Sequence, residues 1–110
     1  MVGRGQQREQ SAADALAALG NRTRLRVFKL LVRAGPEGTN IGTIQRVLGI
    51  PATTLGHHLG TLAAAGLVSQ DKRGREVICT ANFKAVADVL AYVREECCAG
   101  ISFDEVTTAA

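Results

Sequence analysis

The stretch Pro51–Ala81 decides the fold, and it reads PATTLGHHLGTLAAAGLVSQDKRGREVICTA. Its first half has apolar residues at the spacing of one helical face, namely Leu55, Leu59 and Leu62. This spacing predicts a short amphipathic helix. Pro51 suits the first turn of that helix because proline lacks the N–H that a helix start leaves unpaired, and Gly66 is placed to cap the helix end.

The second half of the stretch predicts a β-hairpin. Two short segments, Leu67–Asp71 and Glu76–Thr80, flank the turn Lys72-Arg73-Gly74-Arg75, which carries three cations. Short β-prone runs around a Gly-containing turn are typical of paired strands. A short helix followed by a basic hairpin has the layout of a recognition helix and a wing, so the first hypothesis is docking on duplex DNA.

The rest of the chain predicts four more helices. Their predicted ranges are Ser11–Leu19, Arg22–Ala34, Ile41 to the residue before Gly49, and Asn82–Cys98. Ser11, Asn21 and either Thr39 or Asn40 are suitable N-cap residues for the first three of these helices. Because a short turn containing Gly49 separates the third helix from the helix after Pro51, the two together predict a helix-turn-helix.

Composition predicts one folded domain. The chain has 110 residues, of which 46% are hydrophobic and 4% aromatic, so aliphatic side chains must fill the core. We divide the chain into a flexible segment 1–10, a winged-helix domain for DNA binding and dimerisation over 11–99, and a flexible tail 100–110. The formal net charge of +3 favours an anionic partner.

The expected cellular location depends on two kinds of segment that the sequence does not show, a membrane span and a secretion signal. No apolar run approaches the ~20 residues of a membrane span, and residues 1–10 contain no apolar segment typical of a secretion signal. We therefore expect a cytoplasmic protein with no membrane partner. Its three cysteines are then expected to be reduced thiols. The sequence shows no nucleophile–base arrangement, phosphate loop or open metal site, so we do not expect an enzyme.

Six residues are candidates for DNA contacts. On the helix after Pro51, the residues Thr53, Gly56, His57 and Gly60 are expected to face away from the leucine stripe. Thr53, Thr54 and His57 can hydrogen-bond base edges or phosphates. On the hairpin, Lys72, Arg73 and Arg75 can reach phosphates or a minor groove. The alternative is ordinary first-turn residues and a solvated turn. His58 lies nearer the apolar stripe and is interpreted as a packed or capping residue.

The chain resembles the ArsR/SmtB family of winged-helix repressors over roughly residues 12–98. The resemblance is carried by three segments and the wing that follows them, namely Leu19–Arg26 (LGNRTRLR), Thr53–Leu59 (TTLGHHL) and Ala65–Val68 (AGLV). It implies a mainly α winged helix-turn-helix with a small β-hairpin. It also implies a homodimer formed by the first and last helices, which binds double-stranded operator DNA and leaves it when an inducer binds.

The resemblance also narrows the inducer. Two sensor sites of the family are absent, because Ile41–Gln45 contains no cysteine and the last helix contains no histidine beside Asp88. The adjacent pair Cys97 and Cys98 remains, as in arsenic-responsive members of the family. We therefore expect trivalent arsenic or antimony, as arsenite, antimonite or an organoarsenical, to bind these thiolates, with no catalytic cofactor.

Several alternatives stay open for the cysteines. A third metalloid ligand can come from Cys79, from the other subunit or from a small exogenous ligand, whereas an arsenical with one organic group needs only two thiolates. Cys79 is itself interpreted as a core thiol. Cys97 also extends an apolar stripe, formed by Phe83, Val86, Leu90 and Val93, so the pair can instead be small residues filling a dimer interface. Other possibilities are a redox or persulfide-sensing repressor and an inducer-free winged-helix module that binds DNA or protein.

Overall fold

The computed structural model describes residues 3–101, which form five α-helices and a three-stranded antiparallel sheet with the order β1-β3-β2. The elements are α1 Arg4–Leu19, α2 Arg22–Ala34, β1 Thr39–Asn40, α3 Ile41–Leu48, α4 Ala52–Ala64, β2 Val68–Arg73, β3 Glu76–Ala81 and α5 Phe83–Arg94. This confirms the predicted mainly α winged helix-turn-helix. The short strand β1 was not predicted. No helix within residues 3–101 is long and apolar enough to cross a bilayer.

Asparagine side chains start three of the helices. The Oδ1 atoms of Asn21, Asn40 and Asn82 accept hydrogen bonds from the backbone N–H groups three residues later, at 3.0, 2.7 and 3.2 Å. Each bond satisfies one of the donors that a helix start leaves unpaired. The predicted caps Asn21 and Asn40 are confirmed.

The helix-turn-helix is formed by α3, the turn Gly49–Pro51 and α4. Gly49 ends α3 in the left-handed region, with φ of 66°, and its N–H donates to the carbonyl of Gln45 at 2.8 Å. A glycine suits this position because other L-residues are strained there. Pro51 then precedes the first residue of α4. At the other end of α4 the C-cap is Ala65, one residue before the predicted Gly66.

The core lies between the helix-turn-helix and the sheet. Its fully buried large side chains are Val27, Leu31, Ile44, Leu55, Leu59, Leu62, Leu67 and Cys79. The helix α1 buries only small side chains, namely Ala12, Ala15 and Ala18, and α5 buries only Val89. Leu19, Val86 and Tyr92 pack against the core but are only partly buried. The core is therefore dense under α4 and thin between α1 and α5.

Strand β1 exists because a 3-10 turn, Gly35–Glu37, returns the chain to β3, where Thr39 pairs with Cys79 and Asn40 with Ile78. Gly38 has φ of 67°, and a Cβ atom at this position would overlap the carbonyl oxygen of Cys79. Glycine is therefore required for the close approach of the two strands.

The first predicted boundary is wrong. Helix α1 begins at Arg4, so residues 4–10, expected to be a flexible segment, are helical, and Ser11 lies inside the helix rather than at its cap. Residues 4–10 lack an apolar stripe, but Gln, Glu and Arg are good helix formers. Residues 1–2, and residues 102–110 of the expected flexible tail, lie outside the described part of the chain.

The last predicted boundary is also wrong. Helix α5 ends at Arg94, so Cys97 and Cys98 lie beyond it, and the apolar stripe of this helix stops at Val93. The residues after Arg94 are exposed, so no packing extends the helix over them. The strand ends differ less, since β2 extends to Arg73 and β3 to Ala81.

Candidate nucleic-acid interface and thiol pair

Helix α4 has one buried face and one exposed face. Its three leucines, Leu55, Leu59 and Leu62, are buried, as the sequence predicted. Thr53, Thr54 and His57 are exposed on the other side. The predicted inward orientation of the leucines and outward orientation of Thr53 and His57 are therefore confirmed. The three exposed side chains have the hydrogen-bonding groups that contacts with bases or phosphates require.

The exposed face of α4 also contains two glycines, Gly56 and Gly60. A Cβ atom built on either residue meets no atom within 4 Å. Packing inside the protomer therefore does not require a glycine at these positions. Because a helix without Cβ atoms can bring its backbone close to another surface, this part of α4 has the shape that a close approach to a groove needs.

His58 is half-buried, and its Nδ1 atom is buried without a hydrogen-bond partner among the described residues. Burial lowers the pKa of His58 below 6.5, and the nearby charges of Arg24 and His57 lower this pKa further. His58 is therefore a packed, neutral residue at pH 7 rather than part of the exposed face.

The basic residues of the hairpin lie at its outer end. Lys72 and Arg73 belong to β2, opposite Val77 and Glu76, so the turn consists of Gly74 and Arg75 only. This corrects the prediction of a four-residue turn. The Arg73 Nε atom lies 3.0 Å from the Asp71 carboxylate, whereas Lys72 and Arg75 are exposed and form no ion pair within residues 3–101. Lys72 and Arg75 are thus the free cations of the wing.

Two asparagines connect the wing to the helix-turn-helix. The Asn40 Nδ2 atom donates to the Glu76 carboxylate at 3.3 Å, which links the start of α3 to the outer end of the hairpin. The Asn82 side chain donates to the carbonyl of Gly66 at 2.9 Å, and its backbone N–H donates to that of Leu67 at 2.8 Å. These contacts orient the hairpin relative to α3 and α4. Sequence reasoning found Asn40 as a cap but not this second role, which depends on strand β1.

A further basic region lies on α2. Arg26, Lys29 and Arg33 border an open groove of about 460 Å³ between α2 and α3, and Leu25 and Val47 are exposed within it. Within residues 3–101 none of the three cations forms an ion pair. Positive charge therefore extends beyond the wing.

The thiol pair lies on the turn after α5. Cys97 and Cys98 are exposed and not disulfide-bonded, with their Sγ atoms 3.5 Å apart. Cys79 is buried in β3, and this burial raises the pKa of its thiol. Within residues 3–101 no three His, Cys, Asp or Glu side chains are grouped as a metal site would require. Cys79 of the same protomer therefore does not meet the exposed pair.

Large apolar side chains are exposed along α5. Phe83, Leu90 and Val93 are more than half exposed, although they belong to a helix that buries only Val89. Apolar residues on one face of a surface helix indicate a contact with another chain. The face of α5 opposite this stripe, including Tyr92, borders a cleft of about 530 Å³ against α1.

Comparison with known proteins finds similarity to a helix-turn-helix family and to a transcription regulator. Residues 19–71 match the family described as a helix-turn-helix domain. The HTH-type transcriptional regulator YgaV of Escherichia coli K12 is 25% identical over 89 residues, covering 81% of this chain and 88% of that protein.

Solved structures show the same fold. An ArsR-like transcriptional regulator from Rhodococcus sp. RHA1 superposes with a TM-score of 0.70 and 26% identity, covering 83% of this chain and 82% of its own. The homodimeric winged helix-turn-helix DNA-binding domain Mb0332 from Mycobacterium bovis, a possible ArsR-family regulator, has a TM-score of 0.67 and 24% identity over 93% of this chain and 94% of its own.

Proposed function

We propose that this chain, a helix-turn-helix transcriptional regulator with the ArsR-family fold, is a homodimeric repressor released from operator DNA by trivalent arsenic at Cys97 and Cys98. The observation that carries the proposal is the pair of exposed thiols, 3.5 Å apart, on the turn that follows the helix with the exposed apolar stripe. An inducer bound there lies next to the proposed dimer interface, so it can change the spacing of the two α4 helices.

DNA binding is supported by the exposed polar face of α4 and by the cations around it. In the proposed complex, Thr53, Thr54 and His57 contact the groove, while Lys72 and Arg75 contact phosphates. Arg73 contributes to the wing after exchanging its Asp71 partner for a phosphate. We propose that the protein is cytoplasmic, because that is where its operator DNA would be.

Dimerisation is supported by the apolar stripe Phe83, Leu90 and Val93 on α5. The M. bovis domain of the same fold is homodimeric. A symmetric dimer presents its two α4 helices to two half-sites, which is how helix-turn-helix proteins recognise palindromic operators.

The chemistry of the thiol pair fits a trivalent arsenical with one organic group. Phenylarsine oxide has one As=O unit, and two thiols convert it to a dithioarsonite. Two As–S bonds form, two S–H bonds break, and the oxygen leaves as water with both thiol protons. Arsenite and antimonite prefer a third thiolate, which no side chain of the same protomer supplies within residues 3–101. We therefore propose that monosubstituted arsenicals bind most tightly, and that no catalytic cofactor takes part.

Thiol oxidation is a second candidate, and the same exposed pair favours it. Oxidation by hydrogen peroxide would join the two sulfurs while both thiol hydrogens leave in water. However, adjacent Cα atoms are ~3.8 Å apart, which is shorter than the usual span of a disulfide. The ring closed by a Cys97–Cys98 disulfide would be strained, so we favour arsenical binding over oxidation as the function of the pair.

The test is fluorescence anisotropy with a labelled duplex from the region upstream of the coding sequence. The purified protein is titrated with phenylarsine oxide, arsenite, antimonite and hydrogen peroxide in separate series. The Cys97→Ser and Cys98→Ser variants are compared with the unmodified chain, and Ser69→Ala, at an exposed position of β2, serves as a control for surface substitution.

Release by phenylarsine oxide in the unmodified chain and in Ser69→Ala, but in neither serine variant, is the expected result. DNA binding that no trivalent compound changes would contradict the arsenical proposal. Release by peroxide alone would support the redox candidate. Independently, Lys72→Gln and Arg75→Gln should each reduce the slope of log affinity against log salt by about 1, as expected for a lost phosphate contact.

A further inference from the structure

The segment that carries the thiol pair, residues 95–101, has a single polar side-chain connection to the other described residues. Within residues 3–101 the side chains of residues 95–101 form only two polar contacts: the one between Cys97 and Cys98, and an ion pair between Glu95 and Arg8. In this ion pair the Arg8 guanidinium lies 2.8 Å from Glu95 Oε1. Arg8 thus links α1 to the residue that directly follows α5.

Arg8 also contacts α5 itself. Its guanidinium carbon lies 5.3 Å from the centre of the Tyr92 ring, within the range of a cation–π contact. The Arg8 side chain therefore spans the cleft between α1 and α5 and contacts both the last turn of α5 and the residue after it. Both ionic side chains are about half exposed, at 50% and 49%, so this contact is weak enough to break and re-form.

The backbone after Glu95 makes this contact sensitive to the thiols. The chain leaves the helix at Glu95, and Glu96 and Cys98 have left-handed φ angles of 64° and 63°. The Cys97 N–H donates to the carbonyl of Arg94, and the Ala99 N–H donates to that of Glu96, so residues 94–99 form two consecutive turns. When both sulfurs bind one arsenic atom, their side chains and the peptide between them adopt a single geometry. Glu95 lies two residues before Cys97, so a change in this turn can be transmitted to it.

The first half of α1, which carries Arg8, buries no side chain in the core. Residues 4–10 of α1 are all exposed, and burial on this helix begins at Ala12. Within residues 3–101, the ion pair of Arg8 is the only one that joins α1 to another element. Loss of this contact therefore removes the ionic link between the first half of α1 and the end of α5.

We propose that Arg8 is a positioning residue that couples the Cys97–Cys98 turn to α1, so that arsenical binding breaks its contacts with Glu95 and Tyr92. This inference rests on the proposed function, since it assigns the route by which the thiol site acts on the dimer interface. In the proposed dimer α1 belongs to that interface, so a change at Arg8 would alter the relative position of the two subunits and their α4 helices.

The fluorescence of Tyr92 can be measured without interference, because the chain has one tyrosine and no tryptophan. Tyrosine emission therefore reports on the surroundings of Tyr92, which include the Arg8 contact. The full chain is titrated with phenylarsine oxide while tyrosine emission is recorded, and intact mass counts the adducts. The variants are Arg8→Gln and Arg8→Lys. Arg4→Gln, one turn earlier on the same helix, is the matched control, and the Cys97→Ser/Cys98→Ser double variant controls for absorption by the reagent.

We expect phenylarsine oxide to shift the emission of the unmodified chain and of Arg4→Gln. Arg8→Gln should start at the shifted emission and change little on binding, although the mass shows the same adduct. In the anisotropy assay, its arsenical-induced loss of DNA affinity should be about fivefold smaller than that of the unmodified chain, as for loss of an exposed ion pair with a cation–π contact. Arg8→Lys keeps the charge and should retain most of the coupling.

The two proposals fail in different ways. If no adduct forms on Cys97 and Cys98, the proposed function is wrong and the inference falls with it. If the adduct forms and releases DNA equally from the unmodified chain and from Arg8→Gln, the function stands and the role of Arg8 is overturned. An unchanged Tyr92 emission in the unmodified chain, with the adduct present, also overturns it.

Discussion

Helices α4 and α5 are similar in length, with 13 and 12 residues, but they are held in the fold by different means. Three leucines of α4 are completely or almost completely buried under the sheet and α2, whereas α5 buries only Val89. The large apolar side chains of α5 point outward, and its end is connected to α1 by the exposed ion pair Arg8–Glu95. The protomer thus determines the position of α4 by itself, while α5 lacks an equivalent core.

This difference separates two tasks in the proposed function. A helix that reads DNA must keep its side chains in fixed positions, and a buried leucine stripe achieves this. A helix that reports on an inducer must be able to move, and regions with few buried contacts have low local stability. The predictions below test whether the two halves of the molecule behave in these different ways.

The largest effect is expected from Leu59→Ala in α4. The substitution leaves a cavity in a fully packed site and should lower the free energy of unfolding by about 2–5 kcal/mol. Urea denaturation followed by far-UV circular dichroism measures this loss. When the protein is kept monomeric, Leu90→Ala on α5 should lower the free energy of unfolding by no more than about 0.5 kcal/mol, because Leu90 is exposed in the protomer. Equal losses of unfolding free energy at Leu59 and Leu90 would contradict the proposed difference between α4 and α5.

Dimer stability, unlike protomer stability, should depend on the exposed apolar residues of α5. Leu90→Ala removes about 2 kcal/mol of apolar burial from the proposed interface and should weaken the dimer by at least tenfold in sedimentation equilibrium. Leu25→Ala is the matched control, since Leu25 on α2 is similarly exposed, at 46% against 57%. A dimer that depends on Leu25 as strongly as on Leu90 would place the interface elsewhere.

A smaller effect with opposite signs is expected at Gly56 and Gly60. Alanine at either position meets no neighbouring atom and favours the helix, so each change should raise the free energy of unfolding by about 0.5–1 kcal/mol. Because a Cβ atom on this face keeps the backbone away from a groove, DNA affinity should fall. Gly5→Ala in α1, also in open space, should leave DNA affinity unchanged. If the two variants were more stable and bound DNA as before, the close approach of α4 would be excluded.

The smallest effect concerns pH and the packing of α4. Burial lowers the pKa of His58 in the folded protein below the 6.5 of the unfolded chain. The unfolded state therefore binds more protons as the pH falls, so this histidine lowers the free energy of unfolding below about pH 6.5 and has no effect well above it. Denaturation curves between pH 7.5 and pH 5 measure this dependence. His58→Gln should flatten it. His57→Gln should flatten it only in part, because the charge of His57 is the smallest of the three causes that lower the pKa of His58.

Most of the fold could be predicted because its signals are local. The spacing of Leu55, Leu59 and Leu62 identified α4, and Asn21 and Asn40 identified two helix starts. The predictions failed where local signals were absent. Residues 4–10 have no apolar stripe to mark a helix. The stripe of α5 was extended to Cys97, although the residues from Glu95 to Ile101 are exposed in the described part of the chain.

The sequence by itself determined which residue types are available for chemistry: an uncharged face on α4, a basic hairpin and two adjacent thiols. It did so because helical and strand periods are properties of neighbouring residues. Only the tertiary structure decided how these parts are connected. Asn40 reaches Glu76 across 36 positions, and Arg8 reaches Glu95 across the cleft between α1 and α5. Such contacts depend on how distant elements pack, which no periodicity within one element records.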